Sequence, residues 1–586
     1  MNIGWLMALS VLALLGGYRF YGRYVAKLAG VDPARPTPAM RINDGVDYVP
    51  AKAPVLFGHH FASIAAAGPI VGPTLAVFYG YVPTWLWIIL GVIFIGAVHD
   101  FMALFVSVRE GGRSIAEVAR RTLGKTGFIF FVSFAILLCL LVSAAFLDLM
   151  AAQALTSTYP LKELGLSPEQ TILKTVVKDE RLHVHIGGVA ATSVVLVTLL
   201  APLFGYLLYK RNLKVWMMSL LALGLCGGSV ALGFAYPLSL SANAWMGIVC
   251  VYAFFASWVP VWIILQPRDF VNVHLLYLGL LAMVLGIIGS GLKGVHIDAP
   301  AFYVNAESIG ALGWVWPFLF ITIACGACSG AHSLIASGTT SKQIASEKHA
   351  PLIGYGGMLM EALLGICVTL VIVGGLGFSQ YKTIVWEEGN APLAFALGVG
   401  KTLDHVGLPT VYGTIFGILM LGGFLLTTVD TIVRLTRYLF EELWAALLPG
   451  GPAWLRNRFF NTGLVIGLIA FLSFTNGYQA IWPVFGSANQ LMAALALIAV
   501  TAWLVQKARK AWFAALPAGF MVVTTVTSLS SLLWRNLTGR NWVLSFTDAL
   551  LLFLAVGVVI MTARYFFHLR ATLAAEATGA SGTMGD

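Results

Sequence analysis

Charged side chains are scarce in this sequence. Only 10% of its 586 residues are Asp, Glu, Lys or Arg, whereas soluble globular proteins carry about 25%. Hydrophobic residues make up 59% of the chain, and its mean hydropathy is +0.87. These proportions exclude a water-soluble domain and indicate an integral membrane protein. The net charge of +10 comes from short basic clusters between apolar runs, which is typical of membrane topology rather than of nucleic-acid binding.

Cysteine is rare, and catalytic motifs are missing. The six cysteines all lie in apolar runs, and Cys325-x-x-Cys328 has no second pair, so we interpret them as buried thiols. We therefore expect no metal site and no cofactor. The sequence contains no nucleophile elbow, phosphate-binding loop or zinc-helix motif, so an enzyme is the weakest hypothesis.

Long apolar runs fill most of the chain. A helix needs about 20 apolar residues to cross a bilayer, and we count about fifteen such runs. Because lone strands are not tolerated in lipid, the predicted fold class is an all-α polytopic membrane protein. If the N terminus is outside, most of the 35 Lys and Arg residues fall in cytoplasmic segments. This bias predicts an N-out, C-in topology.

The second apolar run, Pro54–Pro83, contains the pairs Gly68-Pro69 and Gly72-Pro73. Proline removes a backbone donor, and glycine costs about 1 kcal/mol relative to alanine inside a helix. Polar backbone groups freed at membrane depth are tolerated only where they meet protein, line a cavity or hold a ligand. The pattern therefore predicts a broken helix that forms the substrate pathway of a secondary transporter.

Similar interruptions recur along the chain. Predicted helix seven (243–265) has Ser257 and Pro260 in its middle, and predicted helix nine is rich in small and polar residues from Cys325 to Lys342. A repeat of five helices makes its second copy enter from the opposite side, as in many ion-coupled transporters. An ordinary kink in helix seven is the alternative. The predicted units are a first helix and connector (1–54), inverted repeat one with helices 2–6 (55–242), inverted repeat two with helices 7–11 (243–445), peripheral helices 12–15 (446–570) and a disordered tail (571–586).

Long, specific strings occur between residues 44 and 495. They are DGVDYVP (44–50), VLFGHHFASIAAAGPIVGP (55–73), AVHDF (97–101), LQPRDFVN (265–272), CGACSGAHSLIASGTTSK (325–342), GYGGMLMEALL (354–364), LTTVDTIVRLTRYLFEEL (426–443) and IWPVFGSANQLMA (481–493). Together they resemble the carbon starvation protein A family.

This family resemblance implies a multi-pass transporter of the bacterial inner membrane. It implies the LeuT-like five-plus-five inverted repeat of the amino acid–polyamine–organocation superfamily, and uptake of pyruvate with protons, or of peptides. It also implies that the first helix of each repeat is unwound at the substrate. A sodium or equivalent site would lie between the first and eighth helices of that fold. The helices concerned are predicted helices two, seven and nine here.

The first break is the predicted substrate site. A half-helix that starts after Pro69 or Pro73 offers backbone amides and a dipole of about half a charge to a carboxylate. Two aromatic residues of helix seven would wall the site, and two threonines would add hydroxyls. The predicted substrate-binding residues are Ala67, Gly68, Val71, Gly72, Phe254, Trp258, Thr427 and Thr428.

Ionisable residues in the apolar runs are candidates for ion coupling or gating, because each costs roughly 3 kcal/mol at the bilayer centre. Histidine suits proton coupling, since its reference pKa is nearest to neutral pH. Asp430 and Arg434 share one helix face, which predicts an ion pair with a structural role, and a coupling or gating role is the alternative. Hydroxyls near the Gly68 carbonyls would form a cation site. The candidates are His59, His60, Asp100, Ser329, His332, Ser333, Glu361, Asp430 and Arg434.

These observations predict a secondary active transporter that imports a small organic acid, with pyruvate as the first choice. The predicted coupling ion is H⁺, and Na⁺ is the alternative. Uptake of short peptides is the rival substrate class. A passive channel or membrane sensor is a rival of another class, but ringed charges and filter loops are not visible. We expect a small-molecule substrate and the lipid bilayer as partners and no nucleic acid, and the sequence leaves the oligomeric state open. It also assigns no role to the polar interruption at 481–493.

Overall fold

The computed structural model describes residues 1–586 except 45–47, 165, 170–172, 179, 212, 261–262 and 578–586. Helices make up nearly all of it. The first half contains α1 Ile3–Gly16, α2 Arg23–Ala29, α3 Pro38–Ile42, α4 Ala53–Ile64, α5 Gly68–Ala76, α6 Tyr81–Gly91, α7 Ala97–Arg109, α8 Ile115–Asp148, α9 Ile186–Gly205, α10 Val215–Ala235, α11 Ala242–Trp258 and α12 Leu265–Leu292. The second half contains α13 Ala306–Leu312, α14 Val315–Thr322, α15 Ala331–Gly338, α16 Gly356–Val371, α17 Phe378–Lys382, α18 Ala391–Asp404, α19 Thr410–Leu447, α20 Arg458–Thr475, α21 Tyr478–Gln506, α22 Trp512–Thr538 and α23 Trp542–Ala577.

Among the described residues, 12 helices are long and apolar enough to cross a membrane. The bent pair Leu56–Ile64 and Gly68–Tyr79, with a bend of 45° between its halves, makes the number 13 if it is counted as one span. Two of the predicted spans are not among these helices. Predicted helix seven corresponds to α11, which has only 17 residues, and predicted helix nine is split into α14 and α15. The all-α polytopic class is confirmed. The count of fifteen stays a prediction.

Two segments between spans carry structure of their own. The first contains a small antiparallel sheet of order β1-β3-β2, formed by β1 Thr158–Pro160, β2 Thr175–Lys178 and β3 Arg181–His185. The second, 379–408, contains α18, whose side chains are almost all buried against α19 and α5. Because twelve of its fourteen residues are buried, α18 belongs to the core of the bundle.

The C-terminal helix runs further than the sequence predicts. The predicted disordered tail is 571–586, but α23 continues to Ala577. Alanine, leucine and glutamate in this stretch are strong helix formers, which explains the extension. The rest of that prediction, 578–586, lies outside the described residues.

The first predicted helix break is present, but only one of its two Gly-Pro pairs interrupts the helix. α4 ends at Ile64 and α5 begins at Gly68, with Ala65–Ala67 buried between them. Pro69 stands in the first turn of α5, where the missing N–H has no helical partner to lose. Pro73 lies inside α5 without ending it, so the second Gly-Pro pair does not break the chain.

The second break, between α14 and α15, crosses the first. A methyl group on Gly68 would lie 2.4 Å from the Cys325 sulfur, and one on Gly72 would lie 2.6 Å from the Thr322 carbonyl oxygen. Glycine at these two positions therefore lets the two interrupted backbones touch. The partner of the first break is predicted helix nine, and not helix seven.

Helix α21 satisfies polar groups of the second break. The Asn489 side chain accepts a hydrogen bond from the Ala331 backbone N–H at 3.0 Å and donates to Ser329 Oγ at 3.1 Å. The Asn489 carbonyl accepts from the Gly330 N–H at 3.0 Å. Buried backbone donors need such partners. The polar interruption at 481–493 thus has a structural role that the sequence did not reveal.

The close packing at the second break predicts a stability effect at Gly96. A methyl group there would lie 2.1 Å from the Ala327 carbonyl oxygen, a backbone atom of the break. Gly96→Ala should therefore destabilise the protein, by about 1–3 kcal/mol as in other overpacked cores. Thermal unfolding of the purified protein in detergent measures the change.

Gly224→Ala is the matched control, because a methyl group at Gly224 would meet nothing within 4 Å. Alanine is a better helix former than glycine, so this variant should unfold at the same or a higher temperature. Equal midpoints for Gly96→Ala and the parent protein would show that the break can be repacked freely.

Candidate functional site

Three ionisable side chains meet beside the second break. His332 on α15 places Nδ1 2.8 Å from Asp100 Oδ2 on α7, and Nε2 3.3 Å from Glu361 Oε2 on α16. His99 Nδ1 lies 2.7 Å from the other oxygen of Asp100. None of these side chains is more than 2% exposed. The structure thus brings three of the predicted coupling residues into one cluster.

The cluster has an unbalanced charge. If His332 is the one protonated histidine, it compensates one of the two carboxylates, and one negative charge remains buried. Neither oxygen of Glu361 makes a hydrogen bond to any described residue, although its ion-pair distance to His332 is short. An uncompensated buried charge is costly, and a proton on Glu361 would remove it. The arrangement is therefore suited to taking up and releasing a proton.

A cavity of about 60 Å³ lies next to this cluster. It is enclosed by α4, α8, α12, α15, α19 and α21, and His332 belongs to its wall. Aromatic rings of Phe146, Phe424 and Phe485 supply apolar surface. The polar lining consists of Ser63, Asp269, Asn272, Ser329, His332, Thr427, Thr428, Thr431 and Asn489. One imidazole thus connects the carboxylate cluster with a polar cavity.

The predicted substrate residues divide into two groups. Thr427 and Thr428 line the cavity, as do Ser329 and His332. Ala67, Gly68, Val71 and Gly72 are buried and are not part of the lining, because their backbone packs on the second break. The cavity is lined by the preceding residues of the chain, Ala62, Ser63, Ile64 and Ala66.

Phe254 and Trp258 do not wall this cavity. The Trp258 ring packs on Phe459 at a centroid distance of 5.1 Å, and the Phe254 ring packs on Phe255 at 5.6 Å. Trp258 lines a different cavity. The prediction assumed that helix seven faces the first break. Helix α12 takes that place and contributes Asp269 and Asn272.

The predicted Asp430–Arg434 ion pair is wrong. Asp430 accepts hydrogen bonds from Arg268 at 3.1 Å and from the Tyr252 hydroxyl at 2.6 Å. Arg434 donates to the Ala256 carbonyl at 3.0 Å and to that of Val259. Asp430 thus pairs with Arg268 of α12 and not with its neighbour on α19. Arg434 instead donates to carbonyl groups at the end of α11, which have no donor within that helix.

The remaining candidates have separate positions. His60 is fully buried, and its Nδ1 lies 2.9 Å from Thr340 Oγ1. His59 is half-buried and does not line the cavity. Ser333 donates to the Gly330 carbonyl at 2.6 Å and supports the start of α15. Of the two adjacent histidines, His60 is the one that faces the interior beside α16.

Sequence analysis missed Arg268, Asp269 and Asn272 as site residues. Arg268 and Asp269 follow the predicted end of helix seven at residue 265, whereas α12 begins at Leu265 and contains both. Arg268 is 1% exposed and pairs with Asp430 and, at 3.4 Å, with Asp269. The sequence offered one signal for this site, which is the pair of adjacent opposite charges Arg268-Asp269 at the edge of an apolar run.

The cluster also contains potential metal ligands. Ligand atoms of Cys325, His332 and Glu361 lie within 4.8 Å of one another, and all three residues are buried. Thiolate, imidazole and carboxylate together can hold a soft divalent cation. The expectation that the protein needs no metal stays a prediction.

Two connections between spans, 292–311 and 379–408, pack aromatic side chains against α5 and the turn that follows it. Tyr381 donates to the Thr74 carbonyl at 2.8 Å, and the rings of Phe78 and Trp386 stack at 4.7 Å. Lys382 Nζ lies 2.6 Å from Glu307 Oε1 and joins two of these segments. The hydrogen bond from Lys382 holds the pKa of Glu307 below its usual value. These contacts close one side of the first break in this conformation.

Comparison with known proteins gives the family. The chain matches the family described as carbon starvation protein CstA at residues 2–385 and 378–528. It is 32% identical to the peptide transporter CstA of Escherichia coli, over 90% of this chain and 80% of that protein. It is 33% identical to the peptide transporter CstA of Campylobacter jejuni, over 89% and 79%. It is 31% identical to the pyruvate/proton symporter BtsT of Escherichia coli, over 90% and 81%.

These relatives are named as membrane transporters, and the matched regions include both helix breaks and the carboxylate cluster. The chain therefore belongs to the carbon starvation protein CstA family of transporters.

Proposed function

We propose that this protein is a proton-coupled symporter that imports a small organic acid, with pyruvate as the first candidate, across the bacterial inner membrane. One observation carries the proposal. His332 belongs both to the wall of the cavity and to the buried carboxylate cluster with Asp100 and Glu361. A relative named as a pyruvate/proton symporter supports the same substrate and ion.

Charge explains how the two solutes would be coupled. The cavity wall contains Asp269 as well as His332, so an entering carboxylate meets negative charge. The electrostatic cost of placing an anion there falls if a proton is taken up at the same time. Proton uptake by the Glu361–His332 pair would then favour substrate binding, and by reciprocity substrate would favour proton uptake.

The proposed transport movement uses two inverted units around the crossed breaks. Helix α12 packs against α4 and α16, and α21 packs in the equivalent way against α15 and α7. This correspondence favours a first unit from α4 to α12 and a second from α14 to α21. The second unit would then begin after the predicted limit of 243. Inversion requires each unit to cross the membrane an odd number of times, and this holds if α11 and the broken pair α14–α15 each count as one span.

Peptide uptake is the second candidate function. It is supported by relatives from several bacteria that are named peptide transporters. The cavity of about 60 Å³ favours the smaller acid, because a dipeptide would require the surrounding helices to separate. Excess unlabelled dipeptide should therefore leave uptake of labelled pyruvate into proteoliposomes unchanged, and strong inhibition would favour peptides.

Glu361→Gln tests the coupling. In proteoliposomes, an inward-directed proton gradient should accelerate uptake of labelled pyruvate by the parent protein. The amide cannot take up a proton, so the variant should lose this acceleration by roughly fivefold or more, as for a coupling free energy of about 1–3 kcal/mol. An imposed Na⁺ gradient at constant pH should not replace the proton gradient in the parent protein.

Asp548→Asn is the matched control for this experiment. Asp548 is another fully buried carboxylate in a membrane span, and it accepts a hydrogen bond from Asn536 at 2.7 Å. It lies on α23, away from the cluster, and an asparagine oxygen can still accept that hydrogen bond. Full proton acceleration in Glu361→Gln would contradict the proposed role of the cluster.

Ala66→Leu tests the cavity as the substrate site. Ala66 is 7% exposed and lines the cavity, so the three additional carbon atoms of leucine would occupy its space. We expect this variant to lose pyruvate uptake, while Ala66→Ser, which adds one atom, retains it. Circular dichroism and size-exclusion chromatography check that both variants fold. Normal uptake by folded Ala66→Leu would place the substrate elsewhere.

A further inference from the structure

A second and larger cavity lies at the end of the bundle that the basic residues mark as cytoplasmic. Its volume is about 660 Å³, and it is formed by the C-terminal end of α11, the second half of α19 and the start of α20. Trp258 stands on one side of it, with its ring 5.1 Å from that of Phe459. This cavity plays no part in the proposed transport site.

The lining of this cavity is strongly basic. Arg434 and Arg437 come from α19, and Arg456 and Arg458 come from the segment that enters α20. Among the described residues of the lining, Glu441 is the one carboxylate. Four guanidinium groups facing one carboxylate leave an excess of positive charge that an anion can compensate.

Two of the arginines have unused donors. Arg437 is only 6% exposed, and its Nε makes no hydrogen bond to any described residue. The Nε of Arg434 is likewise buried without a partner among them. Glu441 reaches Arg437 Nη1 only at 3.7 Å. Buried guanidinium donors normally have partners, so these point to an acceptor that binds in the cavity.

Exposed aromatic side chains lie at and beside the wall of this cavity. Phe459, 47% exposed, lines the cavity. Phe255, 51% exposed, packs on the lining residue Trp258 at 6.3 Å, and Trp454, 54% exposed, packs on Phe460 at 4.6 Å. In a membrane protein such faces contact lipid tails, and tryptophan is enriched at the interface between tails and headgroups. An anionic headgroup that reaches this position from the membrane belongs to a lipid, and the acyl chains of that lipid would lie beside these aromatic residues.

We propose that this cavity binds the phosphate headgroup of an anionic phospholipid of the inner leaflet, such as phosphatidylglycerol. Arginine forks match phosphate oxygens in a bidentate geometry, and basic pockets between helices on the cytoplasmic side are suited to phosphate headgroups. Because Arg434 also holds the Ala256 and Val259 carbonyls, the bound phosphate would fix the end of α11 against α19. This inference goes beyond transport.

Native mass spectrometry of the purified full-length protein tests the proposal. The protein is incubated with equal amounts of phosphatidylglycerol and phosphatidylethanolamine, and the retained lipid is identified by mass. The parent protein should retain phosphatidylglycerol. Arg456→Gln combined with Arg458→Gln should lower that retention roughly tenfold or more, because each basic contact contributes about 1 kcal/mol. Both residues are exposed, so the variant should fold.

The matched control removes two exposed positive charges elsewhere on the same side. Arg113→Gln combined with Arg120→Gln changes side chains that are 43% and 56% exposed and outside the cavity. Retention should be as in the parent protein. Equal loss in both double variants, or no loss in either, would overturn the proposal.

A soluble phosphate is the competing source of the same chemistry. Added glycerol phosphate should not displace phosphatidylglycerol, because it lacks the acyl chains that contact the aromatic rim. Displacement by glycerol phosphate would overturn the lipid assignment. Glu361→Gln should retain phosphatidylglycerol like the parent protein, so a failure of the coupling mechanism and a failure of the lipid site give different results.

Discussion

The contact between two interrupted helices is the constraint on which the rest of this structure depends. Polar backbone groups freed at membrane depth must find partners inside the protein. Gly68 and Gly72 allow the first break to lie directly on Cys325 and Thr322 of the second. Asn489 then satisfies the start of α15. A helix that the sequence alone leaves outside the repeat is thereby tied to the centre of the fold.

Buried charge is the second constraint, and it follows from the first. The break before α15 brings His332 between Asp100 and Glu361, and α12 brings Arg268 to Asp430 and Asp269. When His332 is the one cationic histidine of the first cluster, each cluster has one more carboxylate than cation. An uncompensated negative charge has a high free-energy cost inside a bundle of helices. A bound proton, rather than a fixed cationic side chain, can neutralise it.

Predictions from the sequence succeeded where the chemistry is local. Proline and glycine act on their own helix, so the break next to Gly68-Pro69 could be predicted without a structure. Predictions failed where a partner had to be chosen. Asp430 and Arg434 share a helix face, yet each bonds to a group from another helix. Trp258 similarly sits in a suitable helix but faces a different cavity.

The sequence by itself determined that this is an all-α membrane protein, that its second helix is broken, and which ionisable residues lie within apolar runs. These properties depend on composition and on short-range backbone chemistry. Only the tertiary structure decided that the second break belongs to helix nine, that His332 joins two carboxylates, and that α12 supplies Asp269 to the cavity. The physical reason is that these contacts join residues far apart in the chain, and the packing of whole helices selects them.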